Sequence, residues 1–394
     1  MTGGKLLRDS FLVFGQPDIR QEEIDEVVDS LKKGWLGTGP KVRRFEEFFA
    51  AYKDAPYSAA VNSCTAALHL SCIALGLKPK DEVITTAMTF CSTVNAIIHA
   101  GATPVLADID PITLNISVEE IERRITKKTK ALIVVHFAGR PCDMDPIMEL
   151  ARQKKLAVIE DCAHAIESEY KGKKTGTMGD FGCFSFYATK NIVTGEGGMV
   201  ISRSKRMIER IKILALHGMS KDAWKRFSDS GYKHYYVEEA GFKYNMMDLQ
   251  AAIGIHQLKR VDGYWKKRQA IWKKYITAFQ GLGIDLPAPV EADTRHAYHL
   301  FSIRINKRKI GISREDFLNK MTQCKIGVGV HYLAIPEHPF YRRRFGWKPP
   351  DYPNALSYGR ETVSLPLSPK LTGQDVDDVV STVIDAVSKG NTGR

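Results

Sequence analysis

The sequence predicts an α/β protein built on a mostly parallel sheet, followed by a smaller α+β C-terminal domain. Three observations carry this. Helix-like and strand-like segments alternate up to about Ile201; the strand-like runs are continuously apolar, as in Leu156-Ala157-Val158-Ile159; and the later chain turns to longer helical stretches with a mixed tail. Alternating βα units imply parallel strands with helices on both faces, and strands covered on both sides have no need of alternating polar positions. At 394 residues the chain is long enough for two domains, which we place at 1–255 and 256–394.

The elements follow in order. Ile24, Val27, Val28 and Leu31 recur at the i, i+3, i+4, i+7 spacing of an amphipathic helix that stops at Gly34, and Val42, Phe45, Phe49 and Tyr52 repeat the pattern after Pro40. Asn62-Ser63-Cys64-Thr65-Ala66-Ala67 opens an apolar helix with small hydroxyl residues. These are either an ordinary N-cap or a cradle in which free N–H groups and the helix dipole hold phosphate. Short strands are expected at 82–85, 104–106 and 131–135, and Ser117 with Glu120 suggests a capping box for a helix over 118–125. Strands at 183–187 and 199–201 flank the turn Thr194-Gly195-Glu196-Gly197-Gly198. Helices near 247–258 and 263–282, a strand at 301–305 and a helix at 314–322 capped by Ser313 complete the chain.

The chemistry concentrates at the ends of two strands. Lys190, in Ser185-Phe186-Tyr187-Ala188-Thr189-Lys190-Asn191, lies between an apolar strand and a glycine turn. A lysine alone is most often a solvated charge, but one enclosed at such a site can form a Schiff base with an aldehyde cofactor. The run 156–159 ends in Glu160-Asp161-Cys162-Ala163-His164, and functional groups of open α/β sheets gather at the carboxyl ends of strands. An aspartate there can keep the ring nitrogen of pyridoxal 5′-phosphate (PLP) protonated, the second requirement of that cofactor beside its lysine.

With a phosphate cradle, the aromatic segment Thr89-Phe90-Cys91-Ser92-Thr93, Asp161 and Lys190 in this order, the sequence resembles the PLP-dependent nucleotide-sugar aminotransferases of the DegT or StrS type. Further matching stretches are Gly34-Trp35-Leu36-Gly37-Thr38-Gly39-Pro40, Gly241-Phe242-Lys243-Tyr244-Asn245 and Ser364-Leu365-Pro366-Leu367. The resemblance covers nearly the whole chain and implies an aspartate-aminotransferase-like large domain (PLP fold type I). It implies that Lys190 links covalently to PLP, Asp161 pairs with the pyridine nitrogen, Phe90 stacks on the ring and His164 stands near its phenolic oxygen. Ser185, Cys64 and Thr65 would hold the phosphate, and Asn245 would reach the phosphate in a neighbouring subunit, making a homodimer with shared active sites. Cys64 departs from the glycine or alanine common there, so its contact is assigned to backbone N–H. Trp35, Thr38, Gly39, Tyr187, His331 and Tyr332 would face the sugar. The subgroup most similar aminates C4 of UDP-4-keto sugars on the 4-amino-4-deoxy-L-arabinose or pseudaminic acid routes. The amino group would come from L-glutamate, through the pyridoxamine form, leaving 2-oxoglutarate. An alternative is C3 amination of a dTDP-, GDP- or UDP-3-keto sugar, and a sugar 3-dehydratase would carry histidine in place of Lys190.

Composition agrees. Hydrophobic residues at 44% and charged residues at 26% describe a globular chain. Seven cysteines with no C-x-x-C pair argue against a disulfide framework or zinc ribbon, and no metal is expected. Met1-Thr2-Gly3-Gly4-Lys5-Leu6-Leu7-Arg8 lacks a secretory apolar core and no run of 18 or more apolar residues occurs, so a cytoplasmic protein without a membrane partner is expected. The net charge of +12 is spread over helices rather than packed in a tail, which favours an anionic small substrate over nucleic acid. A DNA-binding regulator with an idle aminotransferase-like domain would need a helix-turn-helix segment, and none is evident. The stretch 219–240, with Lys221, Trp224, Lys225, Arg226, Phe227, Tyr232, Lys233, Tyr235 and Tyr236, suggests a loop that covers a diphosphate.

Overall fold

The computed structural model describes residues 8–220 and 235–391. Most of the loop expected to cover a diphosphate, including Lys221, Trp224, Lys225, Arg226, Phe227, Tyr232 and Lys233, lies outside the described residues. The ends of that stretch pair, with Ser220 N–H donating to Tyr236 O at 2.8 Å.

The strands are β1 (Tyr57–Val61), β2 (Glu82–Thr86), β3 (Thr103–Ala107), β4 (Thr129–Val135), β5 (Ala157–Asp161), β6 (Glu169–Tyr170), β7 (Lys173–Lys174), β8 (Phe181–Ser185), β9 (Gly198–Ser202), β10 (Thr294–Arg295), β11 (Phe301–Arg304) and β12 (Thr362–Leu365). Seven of them form one sheet in the order β1-β9-β8-β5-β4-β2-β3. Only β9 runs against its neighbours, because the glycine turn after Lys190 sends the chain straight back along β8. The other neighbouring pairs are parallel; β2, β3, β4 and β5 follow one another through helices, whereas β5 reaches β8 through the short hairpin of β6 and β7. Ile84, Leu132, Ile133, Val158, Ile159 and Val200 are buried, as strands covered on both faces require.

A second apolar core gathers around the pair β11 and β12, with Trp272, Tyr275 and Phe279 of helix Val261–Phe279, Phe317 and Met321 of helix Arg314–Gln323, and Val379 and Val383 of helix Gly373–Asn391. Helix Asp248–Lys259 runs unbroken through position 255 and contributes Ala251, Ile255 and Leu258 to the first set of cores. The turn to the second core comes along helix Val261–Phe279: Val261 still belongs to the first, Trp272 to the second.

Two local expectations are revised. In helix Gln21–Lys33 the buried residues are Glu23 and Ser30, while Ile24, Val28 and Leu31 are exposed. Glu23 is drawn inward by Arg260 and by the Gln257 amide at 2.8 Å, leaving the apolar stripe uncovered within this chain. Ser117 does cap helix Val118–Arg124, accepting from Glu120 N–H at 3.2 Å, but the reciprocal arm of the box is missing. The Ser117 N–H is already bonded to Asp108 O at 3.1 Å, and Glu120 turns to Arg123 instead. Ser313 caps its helix as expected, accepting from Asp316 N–H at 3.1 Å.

Candidate active site

The N-terminus of helix Cys64–Ala74, the carboxyl ends of β4 and β5 and the segment after β8 open on one pocket of about 440 Å³. Its lining brings together Cys64, Thr65, Phe90, Asp161, His164, Ser185, Tyr187, Lys190, His331 and Tyr332.

The adjacent carboxylates at the end of β5 divide their work because successive strand residues point to opposite faces. Glu160 is consumed locally. It accepts the N–H groups of Gly176, Met178 and Gly179 at 2.7–2.8 Å and bonds His136 Nε2 at 2.9 Å, and although burial opposes it, these partners hold its pKa below the usual value. Asp161 lines the pocket. It is 3% exposed, accepts Ala163 N–H at 3.1 Å and the Thr93 hydroxyl at 2.8 Å, and burial raises its pKa against those bonds. Glu160 is therefore satisfied by the fold, whereas Asp161 awaits a cationic partner.

Lys190 sits in a turn after β8, its N–H donating to Tyr187 O at 2.8 Å. The amine opens on the pocket rather than on bulk water, and this desolvation pushes its pKa down to about 8, against the pull of Cys64 and Asp161. Among the described residues no hydrogen bond or ion pair engages Nζ.

The helix N-terminus has free donors. The Ser63 side chain accepts Ala66 N–H at 3.1 Å and its carbonyl accepts Ala67 N–H, so the ordinary N-cap is present. The N–H groups of Cys64 and Thr65 have no acceptor among the described residues and belong to the pocket lining. Gly198 makes this approach possible: a Cβ there would lie 2.5 Å from Ser63 carbonyl carbon and 2.7 Å from Cys64 N. The N-cap reading holds, and it is compatible with a cradle, since a cap satisfies the inner donors and leaves the outer ones open to an anion.

Phe90 precedes helix Cys91–His99, is 55% exposed, and its ring lies 5.8 Å from that of Tyr332. His164 accepts Ala138 N–H on Nδ1 at 3.3 Å and meets the Tyr332 hydroxyl through Nε2 at 3.0 Å. Burial, with the Lys190 charge, holds its pKa well below the usual value. His331 is tied to Ser364 of β12 through Nδ1 at 2.9 Å, and burial, with Lys190, pushes its pKa down to about 4. Both histidines are thus neutral at physiological pH.

Trp35, Thr38, Gly39 and Asn245 do not join this pocket. The Thr38 hydroxyl donates to Met246 O at 2.5 Å and accepts from Asn245 Nδ2 at 2.7 Å; Gly39 N–H donates to Asp248 Oδ1 at 2.8 Å; Trp35 is 52% exposed. Within one chain these residues form their own cluster around the start of helix Asp248–Lys259. Sequence reasoning also missed residues behind Lys190, namely Asn191, Glu167, Arg268 and His299. The one available signal was Asn191 beside the lysine.

A lysine of depressed pKa, a buried carboxylate without a cation and an anion-ready helix N-terminus, set at the strand ends of an α/β sheet, define a PLP-type amino-transfer site. Comparison with known proteins takes this further. Residues 17–384 match the DegT/DnrJ/EryC1/StrS aminotransferase family, and the chain belongs to that family. It is 48% identical over 381 residues to the spore coat polysaccharide biosynthesis protein SpsC of Bacillus subtilis, covering 96% of this chain and 98% of that protein. The solved structure of "Putative sugar aminotransferase Spr1654 from Streptococcus pneumoniae" in its PMP form is similar with a TM-score of 0.90 and 33% identity, over 96% of this chain and 100% of that one. Helicobacter pylori PseC, an aminotransferase involved in the biosynthesis of pseudoaminic acid, gives a TM-score of 0.89 at 26% identity, over 97% and 100% of the two chains.

The protein is a PLP-dependent sugar aminotransferase. Its own residues fit the cofactor, because the free Cys64 and Thr65 N–H groups, the close approach at Gly198, the unpaired Asp161 carboxylate and the depressed Lys190 amine match the phosphate, ring nitrogen and aldehyde in chemical character. Among the described residues no helix is long and apolar enough to cross a membrane.

Proposed function

We propose that the enzyme moves an amino group from L-glutamate to the C4 keto group of a UDP-4-keto sugar, yielding 2-oxoglutarate and a 4-amino sugar for a surface glycan or lipid A modification. The observation that carries amino transfer is the convergence of Lys190 and Asp161 on one pocket, with the amine near pKa 8. The likeness to PseC and to SpsC supports a surface-glycan sugar as the acceptor.

Bound PLP supplies an aldehyde that takes up amino groups and a ring that draws electrons from the neighbouring carbon. Lys190 Nζ, neutral in a large fraction of molecules near pH 8, would take up the proton of the donor's α-carbon, hold it and give it back, and with the sugar would move a proton in the opposite order. Asp161 would be ionised and would keep the ring nitrogen protonated. Cys64, Thr65 and Ser185 would hold the phosphate, Phe90 would cover the ring, His164 would serve its phenolic oxygen, and Tyr187, His331 and Tyr332 would face the sugar.

We further propose a homodimer with shared sites. Ile24, Val28, Leu31, Trp35 and Leu36 expose an apolar surface on one chain, and Asn245, Thr38 and Gly39 lie outside that chain's own pocket, where a partner could receive them. The free cysteines, five of them buried, suit a reducing cytoplasm.

Incubating the PLP-loaded enzyme with glutamate and a panel of UDP-, dTDP- and GDP-linked 3-keto and 4-keto sugars, then locating the amine by NMR, tests the substrate. A 4-amino UDP sugar is expected; amination at C3 alone, or no turnover of any UDP-4-keto sugar, overturns it.

A further inference from the structure

Behind Lys190 lies a buried polar chain in which the direction of each hydrogen bond can be deduced from the one before it. Arg268, 1% exposed, is ion-paired to Glu167 Oε1. The other oxygen of Glu167 accepts from Asn191 Nδ2 at 2.7 Å, and Ala297 O accepts from the same amide nitrogen at 3.1 Å. Carboxylate and carbonyl only accept, so the Asn191 NH₂ must face them and its Oδ1 must face His299 Nδ1, 2.9 Å away. His299 therefore carries its hydrogen on Nδ1. Burial, with the Lys190 charge, holds the His299 pKa well below the usual value, so its Nε2 is a bare lone pair.

The His299 ring lies against that of His164, with centroids 4.4 Å apart and planes inclined by 36°. His164 has the opposite arrangement. Its Nδ1 accepts the fixed N–H of Ala138 at 3.3 Å, so the hydrogen of the neutral ring is on Nε2 and donates to the Tyr332 oxygen at 3.0 Å. That bond uses a lone pair of Tyr332 and leaves the hydroxyl hydrogen without a partner among the described residues, on the side of the pocket that Tyr332 lines. Asn191, covalently next to Lys190, is held at both ends of its amide, so the chain also fixes the backbone that carries the amine.

We propose that Glu167, Asn191 and His299 are positioning residues that anchor the backbone beside Lys190 with His299 as the Nδ1–H tautomer, and that the Ala138 N–H fixes the opposite tautomer in His164, directing the Tyr332 hydroxyl hydrogen to an acceptor oxygen in the pocket. The proposal rests on the sugar-aminotransferase reading for the identity of that oxygen, which belongs to the cofactor ring or to the sugar. The tautomers themselves depend on neither.

Ring-¹⁵N histidine labelling of the cofactor-free wild-type enzyme reads the tautomers directly, with His299→Gln and His164→Gln used to assign the signals among the 11 histidines. The expected result at neutral pH is Nδ1–H for His299 and Nε2–H for His164; the same tautomer for both, or a charged ring at either, overturns the proposal. Glu167→Gln supplies the second arm. Its amide oxygen is expected to face Arg268 and its NH₂ to face the Asn191 NH₂, donor against donor, while Ala297 O still holds that NH₂. Asn191 then loses its strong acceptor but not its orientation, His299 keeps Nδ1–H, and the pH midpoint of the bound-cofactor absorbance shifts by about one unit as the backbone beside Lys190 loosens. An unchanged midpoint in a folded variant counts against the anchoring. Should Glu167→Gln fail to fold, the wild-type tautomers still decide. Tyr332→Phe then identifies the oxygen: a change in cofactor absorbance without sugar assigns it to the cofactor ring, a change confined to sugar kcat or KM assigns it to the sugar, and neither change refutes the donor.

Discussion

Asp161→Asn separates a group that holds the fold from one that serves the reaction. In the wild type, Thr93 donates to Asp161 Oδ2 at 2.8 Å and is itself paired with the Thr89 hydroxyl at 2.8 Å, while Ala163 N–H donates to Oδ1 at 3.1 Å. Asparagine can keep its oxygen on Ala163 N–H and turn its NH₂ toward Thr93, whose hydroxyl then donates to Thr89. Both bonds re-form, so the loss is less than about 1 kcal/mol, and removing a carboxylate whose pKa burial has raised offsets it. The cofactor-free variant is therefore expected to melt within about 4 °C of wild type. The reaction responds in the opposite way. A neutral amide cannot keep the ring nitrogen protonated, and loss of one member of a buried ion pair costs about 3–5 kcal/mol. At roughly 1.4 kcal/mol per tenfold, single-turnover amino transfer from saturating glutamate should slow by about 10²- to 10⁴-fold. A single-turnover rate near wild type would refute the role. A melting loss equivalent to more than about 3 kcal/mol would instead make Asp161 structural.

Lys190→Ala should abolish both the yellow covalent form and turnover while weak cofactor binding persists; borohydride reduction followed by peptide mapping checks it, and an adduct on another lysine refutes the assignment. Gly198→Ala, whose Cβ would press on Ser63 and Cys64 at 2.5–2.7 Å, should weaken PLP binding about tenfold by titration, roughly 1.4 kcal/mol. Mixing Lys190→Ala and Asn245→Ala chains should restore part of the activity, since one site of each heterodimer would carry neither lesion; no recovery after demonstrated subunit exchange would rule out shared sites. Lys53 is fully buried, donates to Ile166 O at 2.8 Å and is pushed by burial from 10.5 down to about 8. Its folded value lies below its unfolded one, so the unfolded chain binds the extra proton between these pH values and stability rises with pH across that window. The stability of wild type minus that of Lys53→Met, from denaturant titrations at pH 7 to 11, should therefore rise by about 3 kcal/mol; a flat difference would show that Lys53 titrates normally.

The sheet and the central site pair were legible because each is written in a local pattern. A continuous apolar run ending abruptly in Glu160-Asp161 marks a strand end, and two apolar runs around a lysine and a glycine turn mark β8 and the antiparallel β9. Residue type alone could not say which of the two carboxylates faces the pocket. That depends on His136 and on the N–H groups of Gly176, Met178 and Gly179, which claim Glu160 and leave Asp161 free. The relay behind Lys190 was illegible for the same reason on a larger scale. Its members come from the residues after β5, the turn after β8, helix Val261–Phe279 and the approach to β11, and each is unremarkable until the second core is packed against the first.

The first helix shows where periodicity misleads. Its apolar spacing correctly gave a helix, but the face turned inward carries Glu23 and Ser30, because Arg260 and Gln257 offer Glu23 charge-assisted partners inside the chain. An apolar stripe left on the outside has a hydrophobic cost of about 25 cal/mol per Å², so its persistence beside Trp35 and Leu36 argues for burial by something other than this chain. Asn245, clamped to Thr38 and bonded to the Lys243 amine at 2.7 Å, points to the same conclusion from the polar side. Resemblance assigns Asn245 to a phosphate, yet the N–H groups of its own chain that suit a phosphate, those of Cys64 and Thr65, open on a pocket that Asn245 does not line. A second copy of the chain reconciles both observations: it would cover the apolar stripe and carry Asn245 to a pocket that is not its own. Titrating charge onto that stripe, as in Leu31→Glu, should then lower dimer affinity and amino-transfer activity together in sedimentation and turnover assays, and a fully active monomer would break the link between them.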